Sequence, residues 1–231
     1  MVAHDGAMSP SCDPSWPADA EVLHDLQRRL GALQPPPWHP GTSAPELAAA
    51  AVVHDPDRGE RAWAGAVLTR GPHVLAAEVV VGAVRAPYVP TQLSAREGPL
   101  LVAALEALGG RPDVLLLAAA GRDHPRHAGL ALHVGAVLGV PSAGVTDRPL
   151  RAAGPPPGPG RGDASALVLD GAEVARWVRT APGVRPVVAH AAWRTTGGVA
   201  AALVLAATTS VRTPWPLREA RRLARQARAD G

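Results

Sequence analysis

The stretch VLLLAAAGRDHPRHAGLALHVG, Val114 to Gly135, raises the sharpest chemical question in this chain. It reads as a buried strand, a glycine-containing loop, a His-Pro pair and a helix. In an α/β protein the end of such a strand is where a catalytic acid or a ligand-binding group stands. Here that place holds Ala118, Ala119 and Ala120. A second stretch, APYVPTQLSAREGP, sets Tyr88, the only tyrosine, between two prolines. Pro87 and Pro90 restrict the backbone around it, and a stiff aromatic tip suits insertion between bases or stacking on one. Phosphate chemistry comes from arginine, which offers a charged planar fork of donors. Arg96, Arg122 and Arg126 flank these stretches, and Arg218, Arg221, Arg222, Arg225 and Arg228 recur at helical spacing near the end of the chain. Such a run is either a solvated helix face or a phosphate surface, and the second would make affinity fall steeply with salt.

Composition bounds what these residues can serve. All 23 basic residues among the 231 are arginine, yet the formal net charge is only +3. That balance permits nucleic-acid binding without demanding it. With Cys12 as the lone cysteine there is neither a disulfide framework nor a thiolate zinc site. The N-terminus lacks a charged-then-apolar leader pattern, and no apolar run has the length of about 18 residues that suggests a membrane span. The expectation is a soluble, cytoplasmic protein.

The elements that must position the chemistry follow from periodicity. Residues 1–18 show none and are expected to form a flexible tail. Residues 19–33 have a helical period, with Asp19 as N-cap and Val22, Leu23, Leu26, Leu30 and Leu33 on one face. Residues 34–45, with five prolines, are a connector. Three apolar runs, 46–53, 61–68 and 73–81, are separated by turn residues and predict antiparallel strands. A helix follows, with Ser94 and Glu97 at capping-box spacing. Then come a buried strand over 113–118, a helix over 127–138 and a strand over 142–145. A Pro/Gly-rich loop spans 151–163. Strands at 166–169, 174–178 and 186–190 precede closing helices at 195–207 and 216–229. Three antiparallel strands, helix, strand, helix, strand is the order of an α/β, ribonuclease-H-like mixed sheet (three antiparallel strands, then parallel strands) flanked by helices. One domain over 19–231 is expected.

Residues 86–99 resemble the signature of the endonuclease V family, nucleases that act beside deaminated bases, chiefly inosine. Its pattern is Pro-Tyr-Ile/Val-Pro followed by Arg-Glu-Gly/Ala-Pro. The resemblance continues in register through residues 124–145, and GPGRGD, VRTAPGVRPVVAH and PLREARRLA also resemble family segments. It covers roughly residues 21–224. It implies a Mg²⁺ site on the sheet, held by an aspartate of the first strand, the glutamate of Arg-Glu-Gly-Pro and an aspartate ending the next central strand. Glu97 keeps the glutamate. Ala51 stands at the first aspartate, Ala118 at the second, and Ala120 at a histidine two residues on. Asp147 replaces a lysine, and Trp193 replaces a late acidic or histidine residue whose neighbour, Arg194, is kept. By the same resemblance Tyr88, Pro87 and Pro90 form a wedge that opens a duplex, and Leu93, Gly121 and His124 line a pocket for an extruded base. Thr91 replaces a glycine at the pocket mouth and is expected to narrow it. His133 is read as a packed or surface histidine of a helix.

Mg²⁺ is anchored by carboxylates plus substrate phosphates, and Glu97 alone is a poor anchor. Asp123 and Asp147 are the acids that could substitute; Asp55 is expected to be a turn residue. The sequence therefore predicts an endonuclease-V-like nucleic-acid-binding protein with impaired catalysis and Glu97 as a weak residual ligand. Arg96, Arg126 and Arg194 join Tyr88 and the pocket residues in contacting DNA or RNA of single-stranded or distorted character. Mg²⁺ is expected only if activity remains; no membrane is involved, and the protein is expected to be a monomer. Two alternatives stand beside this: an active Mg²⁺-dependent endonuclease using Glu97 with Asp123 or Asp147, and a protein-interaction module without nucleic acid.

Overall fold

A computed structural model describes residues 16–56 and 60–231. Most of the predicted tail lies outside the described residues, but its last part includes Trp16, which is only 9% exposed. The indole stacks on His133 with centroids 4.4 Å apart. It also lies where a side chain on Gly98 would have to go, 2.1 Å from an added Cβ. Trp16 is thus packed rather than part of a flexible tail, and His133 is a buried packing residue.

Eight strands form one mixed sheet in the order β3-β2-β1-β4-β5-β8-β7-β6. β1 (Glu46–His54), β2 (Arg61–Arg70) and β3 (His73–Ala83) are antiparallel. β4 (Val114–Leu117) and β5 (Ser142–Thr146) run parallel to β1. β6 (Ala164–Leu169), β7 (Ala172–Val178) and β8 (Val187–Ala191) are antiparallel again, with β8 against β5. This is the ribonuclease-H-like arrangement expected from the element order. All four residues of β4 are buried, as a central strand covered on both faces requires.

Alternate side chains of β1 and β4 feed two cores. On one face α2 (Leu93–Ala107) and α3 (Leu130–Leu138) cover Ala48, Ala50, Leu115 and Leu117, with α1 (Ala20–Ala32) packed outside against α3. On the other, α4 (Gly197–Ala206) and α5 (Trp215–Asp230) cover Ala49, Ala51, Val114 and Leu116. α5 lies very close to the sheet: a Cβ on Gly65 would fall 2.0 Å from the Ala220 carbonyl.

Three local expectations need correction. Asp19 does cap α1, accepting from Glu21 N and Val22 N at 2.9 Å. The buried face, however, runs through Leu23, Gln27 and Gly31, and Val22 and Leu33 are exposed. Gln27 is buried because its amide has partners, described below. Ser94 and Glu97 form no capping box, because α2 starts at Leu93 after an uncapped Gln92. α3 starts at Leu130 rather than 127, since His127 adopts φ 54 and Gly129 is the N-cap.

Candidate functional site

The carboxyl ends of β1, β4 and β5 lie side by side because these three strands are parallel and adjacent. Ala51 and the partly buried Ala118 both pack in the core beneath α5. A cavity of about 490 Å³ opens beside Ala118, lined by Tyr88, Thr91, Leu93, Ser94, Ala118–Ala120, His124 and the segment Thr146–Leu150. Tyr88 stands on its rim, 69% exposed. Arg96 steadies the loop that carries it by donating to the Ala86 carbonyl at 2.7 Å.

The floor of that loop is a knot around Thr91, which adopts φ 69. A β-branched residue in the left-handed region is strained, which accounts for the glycine that the resemblance places there. The strain is offset by bonds. The Thr91 carbonyl accepts from His124 Nε2 at 3.1 Å, Arg126 Nη2 at 2.9 Å and Gln27 Nε2 at 3.4 Å. Arg126 also donates to Thr91 Oγ1 at 2.9 Å and to Gln27 Oε1 at 2.6 Å. His124 Nδ1 accepts from Arg126 N at 3.2 Å. Burial pushes the His124 imidazole down to about 4, so it is neutral at pH 7. His124 and Arg126 were expected to contact nucleic acid. In the structure they hold the pocket mouth in shape; His124 also lines the cavity, with both ring nitrogens occupied.

Gly121 does not line the cavity. It is buried against β8, where a Cβ would sit 2.1 Å from the Ala191 carbonyl. The adjacent Arg122 caps the end of α1 through the carbonyls of Gly31 and Leu33. Ser94, expected in a cap, instead lines the cavity with its Oγ buried and without a hydrogen-bond partner among the described residues.

The acids are not brought together. Glu97 Oε1 accepts from His54 Nε2 at 2.8 Å, and Arg96 Nη2 approaches His54 Nδ1 at 3.4 Å. Asp123 is fully buried. Its Oδ2 accepts from Leu150 N at 2.6 Å, and its Oδ1 from Arg151 N and Ala152 N, each at 2.7 Å. Its Oδ2 also lies 3.8 Å from His190 Nδ1. Thr146 Oγ1 donates to the Arg148 carbonyl at 2.7 Å and so accepts from His190 Nε2, also at 2.7 Å. Burial holds His190 down to about 4 against the pull of Asp123. Asp123 is thus an anchor for the loop that walls the cavity, not a substitute ligand. Asp147 lies at the cavity edge but is exposed and bonded to Arg212 at 2.5 Å.

Trp193 and Arg194 lie at the other end of the sheet. β8 is antiparallel to β5, with Thr146 opposite Val188 and Ala143 opposite Ala191, so the chain beyond β8 reaches the start of β5. There Trp193 N donates to Ser142 Oγ at 3.1 Å and Arg194 Nε to the Pro36 carbonyl at 3.3 Å. The length of β5, roughly 13 Å, separates them from Thr146. Neither lines the cavity.

A divalent cation of the Mg²⁺ type needs an octahedral set of oxygens anchored by carboxylates. Among the described residues no three His, Cys, Asp or Glu side chains converge to hold a metal, and Glu97 is already matched by a histidine. The donor set does not fit the cation that the resemblance implies. His54, Gln27, Thr146 and His190 were missed as site residues. Each acts across the sheet or between layers, and only strand order reveals such partners.

Residues 47–222 match the Endonuclease V family. Endonuclease V of Streptomyces coelicolor is 38% identical over an alignment of 219 residues that covers 93% of this chain and 93% of that protein. The crystal structure of endonuclease V from Streptomyces avermitilis superposes with a TM-score of 0.85 at 34% identity, covering 93% of this chain and 95% of that one. Ciona intestinalis endonuclease V, in complex with DNA containing an inosine followed by a ribo-adenosine, superposes with a TM-score of 0.78 at 20% identity, over 91% and 97% of the chains. The match therefore runs from the first strand of the sheet into the last helix that covers it, and the chain belongs to the endonuclease V family.

Proposed function

We propose that this protein binds DNA or RNA at deaminated, inosine-type bases and is impaired in phosphodiester cleavage. The observation that carries the proposal is a contrast within one site. The recognition elements are built and braced, whereas the positions of two family acids are the methyl groups of Ala51 and Ala118. Tyr88 is the exposed tip that enters a base stack. The cavity behind it takes the displaced base, with the Ser94 hydroxyl as an edge contact and Thr91, Leu93 and Ala118–Ala120 as walls. Extruding a base costs a few kcal/mol, least where pairing is already weak, so distorted or single-stranded sites are favoured. The inosine-containing DNA held by the Ciona enzyme supports this substrate class for the shared fold.

Cleavage needs a positioned metal to activate water and to stabilise the leaving oxygen. The side chains present do not supply its ligands, so no hydrolytic step is assigned to them. The test is a nicking assay on an inosine-containing strand with Mg²⁺ or Mn²⁺, run beside a binding assay on the same strand. Binding that weakens in Tyr88→Ala, with no nicking above background, is the expected result. Nicking that Glu97→Gln abolishes would overturn the assignment of impaired cleavage.

A further inference from the structure

α5 carries five arginines, and their surroundings divide them. Arg222 is held by both oxygens of Glu219, at 2.9 and 2.7 Å. Arg228 donates to the His54 carbonyl at 3.1 Å. Arg218, Arg221 and Arg225 have no side-chain hydrogen bond or ion pair among the described residues. They recur at i, i+3 and i+7, so they share one helix face, and they wall a surface groove of about 590 Å³. The helix beneath them is fixed, because Leu217, Ala220 and Ala224 are buried.

Arg221 differs from the other two in being partly buried at the site itself. It lines a second cavity, of about 250 Å³, together with Ala118, Thr146, Asp147 and Leu217. That cavity shares Ala118, Thr146 and Asp147 with the larger one behind Tyr88. One continuous surface therefore leads from the aromatic tip, past the alanine at the strand end, to the arginine groove. Asp147 is already neutralised by Arg212. Among the described residues, the charge facing this cavity without a counter-ion is the Arg221 guanidinium. A cation is repelled from such a place, and an anion is drawn to it.

We propose that Arg221, continued by Arg218 and Arg225, is a phosphodiester-binding site beside Ala118, the position where the resemblance places a metal-binding acid. The guanidinium holds the backbone phosphate directly. Its planar donors match two phosphate oxygens, and the alanines remove the carboxylates that would otherwise compete for it. Nucleic-acid binding is then independent of divalent cations. This rests on the nucleic-acid-binding function proposed above.

The test is fluorescence anisotropy of a short labelled single strand carrying one inosine, over a salt series, with EDTA or with magnesium. Wild type is expected to bind equally well in EDTA. Arg221→Ala is expected to weaken binding about tenfold and to lower the salt slope by about one, while Arg221→Lys keeps the slope. Because Arg221 has no side-chain partner among the described residues, its replacement is expected to leave the fold intact, which a matching thermal melt checks. Arg176→Ala, which removes a half-exposed arginine paired with Glu173 on β7, serves as the control and is expected to leave both quantities unchanged. Wild type that fails to bind at low salt would sink the nucleic-acid function and this inference with it. Wild type that binds, with Arg221→Ala matching it in affinity and slope, overturns the inference alone. So does binding that needs magnesium and loses that need in Glu97→Gln.

Discussion

Replacing Asp123 separates an anchor from a metal ligand. Its carboxylate is fully buried and accepts three backbone N–H groups, from Leu150, Arg151 and Ala152, at 2.6–2.7 Å. A hydrogen bond to a charged acceptor contributes roughly 1.5–3 kcal/mol, and a buried donor left unmatched costs about 1–3 kcal/mol. Asp123→Ala strands all three amides and is expected to cost about 4 kcal/mol or more, a large part of a typical 5–15 kcal/mol stability. Asp123→Asn keeps the two bonds to Oδ1 but turns Oδ2 into a donor that opposes Leu150 N. That donor then faces the unprotonated Nδ1 of His190, 3.8 Å from the present oxygen, so part of the loss is recovered and the expected cost is about 2 kcal/mol. With a urea slope of about 2 kcal/mol/M, the midpoints fall by roughly 2 M and 1 M. Chemical denaturation at neutral pH measures both. An Asp123→Asn protein that unfolds at the wild-type urea concentration, yet loses a metal-dependent cleavage seen in the parent, would refute the anchor role and restore Asp123 as a ligand.

Two further outcomes follow from burial. His124 is held to about 4, whereas an unfolded histidine titrates near 6.5. Between those values the unfolded chain binds a proton that the folded chain does not, so stability is full above about 6.5 and is lost as the pH falls towards 4. The limit is about 3 kcal/mol for this one group. Urea midpoints should drop between about pH 7.5 and pH 5, less so in His124→Gln, and a flat profile would contradict the burial argument. Gly121→Ala places a methyl carbon 2.1 Å from the Ala191 carbonyl, and overpacking against backbone should cost about 3 kcal/mol in a thermal or urea melt. Gly41→Ala, with nothing within 4 Å, should be neutral or slightly stabilising; equal effects at the two positions would rule out the close-approach explanation.

The architecture was legible because its signals are local. Alternation, turn residues and helical period marked all eight strands, and the continuous apolar run at β4 announced its central place. What was not legible was which side chains meet across elements. Asp123 looked like a free loop acid because nothing local says that the amides of Leu150–Ala152 return to it across the start of the Pro/Gly-rich loop. His124 and Arg126 looked like ligand contacts because the positive φ of Thr91, which they brace, is a tertiary fact. Trp193 matched a site position in register, but the antiparallel pairing of β8 with β5 carries it to the far end of the sheet. Arg221 was counted as one of a helical run; only the packing of α5 over β1 and β2 brings it to Ala118.

The two halves of the site are held by different forces, so the proposed loss of one is compatible with retention of the other. A cluster of carboxylates at strand ends strains the fold in the absence of its cation: two unit charges 4 Å apart repel by about 4 kcal/mol at an effective dielectric of 20. Replacing them with alanine removes that repulsion and extends the apolar core of β1, so stability does not oppose the change. The pocket mouth, in contrast, is tied by Gln27, His124, Arg126 and Asp123 to α1 and to the loop after β5, and cannot loosen without weakening the packing of those layers. Stability alone would therefore preserve the cavity, but it would not preserve Tyr88. At 69% exposure the ring contributes little to the core, and a stiff proline-flanked loop holds it in water at the rim. Contact with another molecule accounts for that placement where packing does not. The arginines that continue from the cavity along α5, unpaired among the described residues, are what the proposed polyanion would meet.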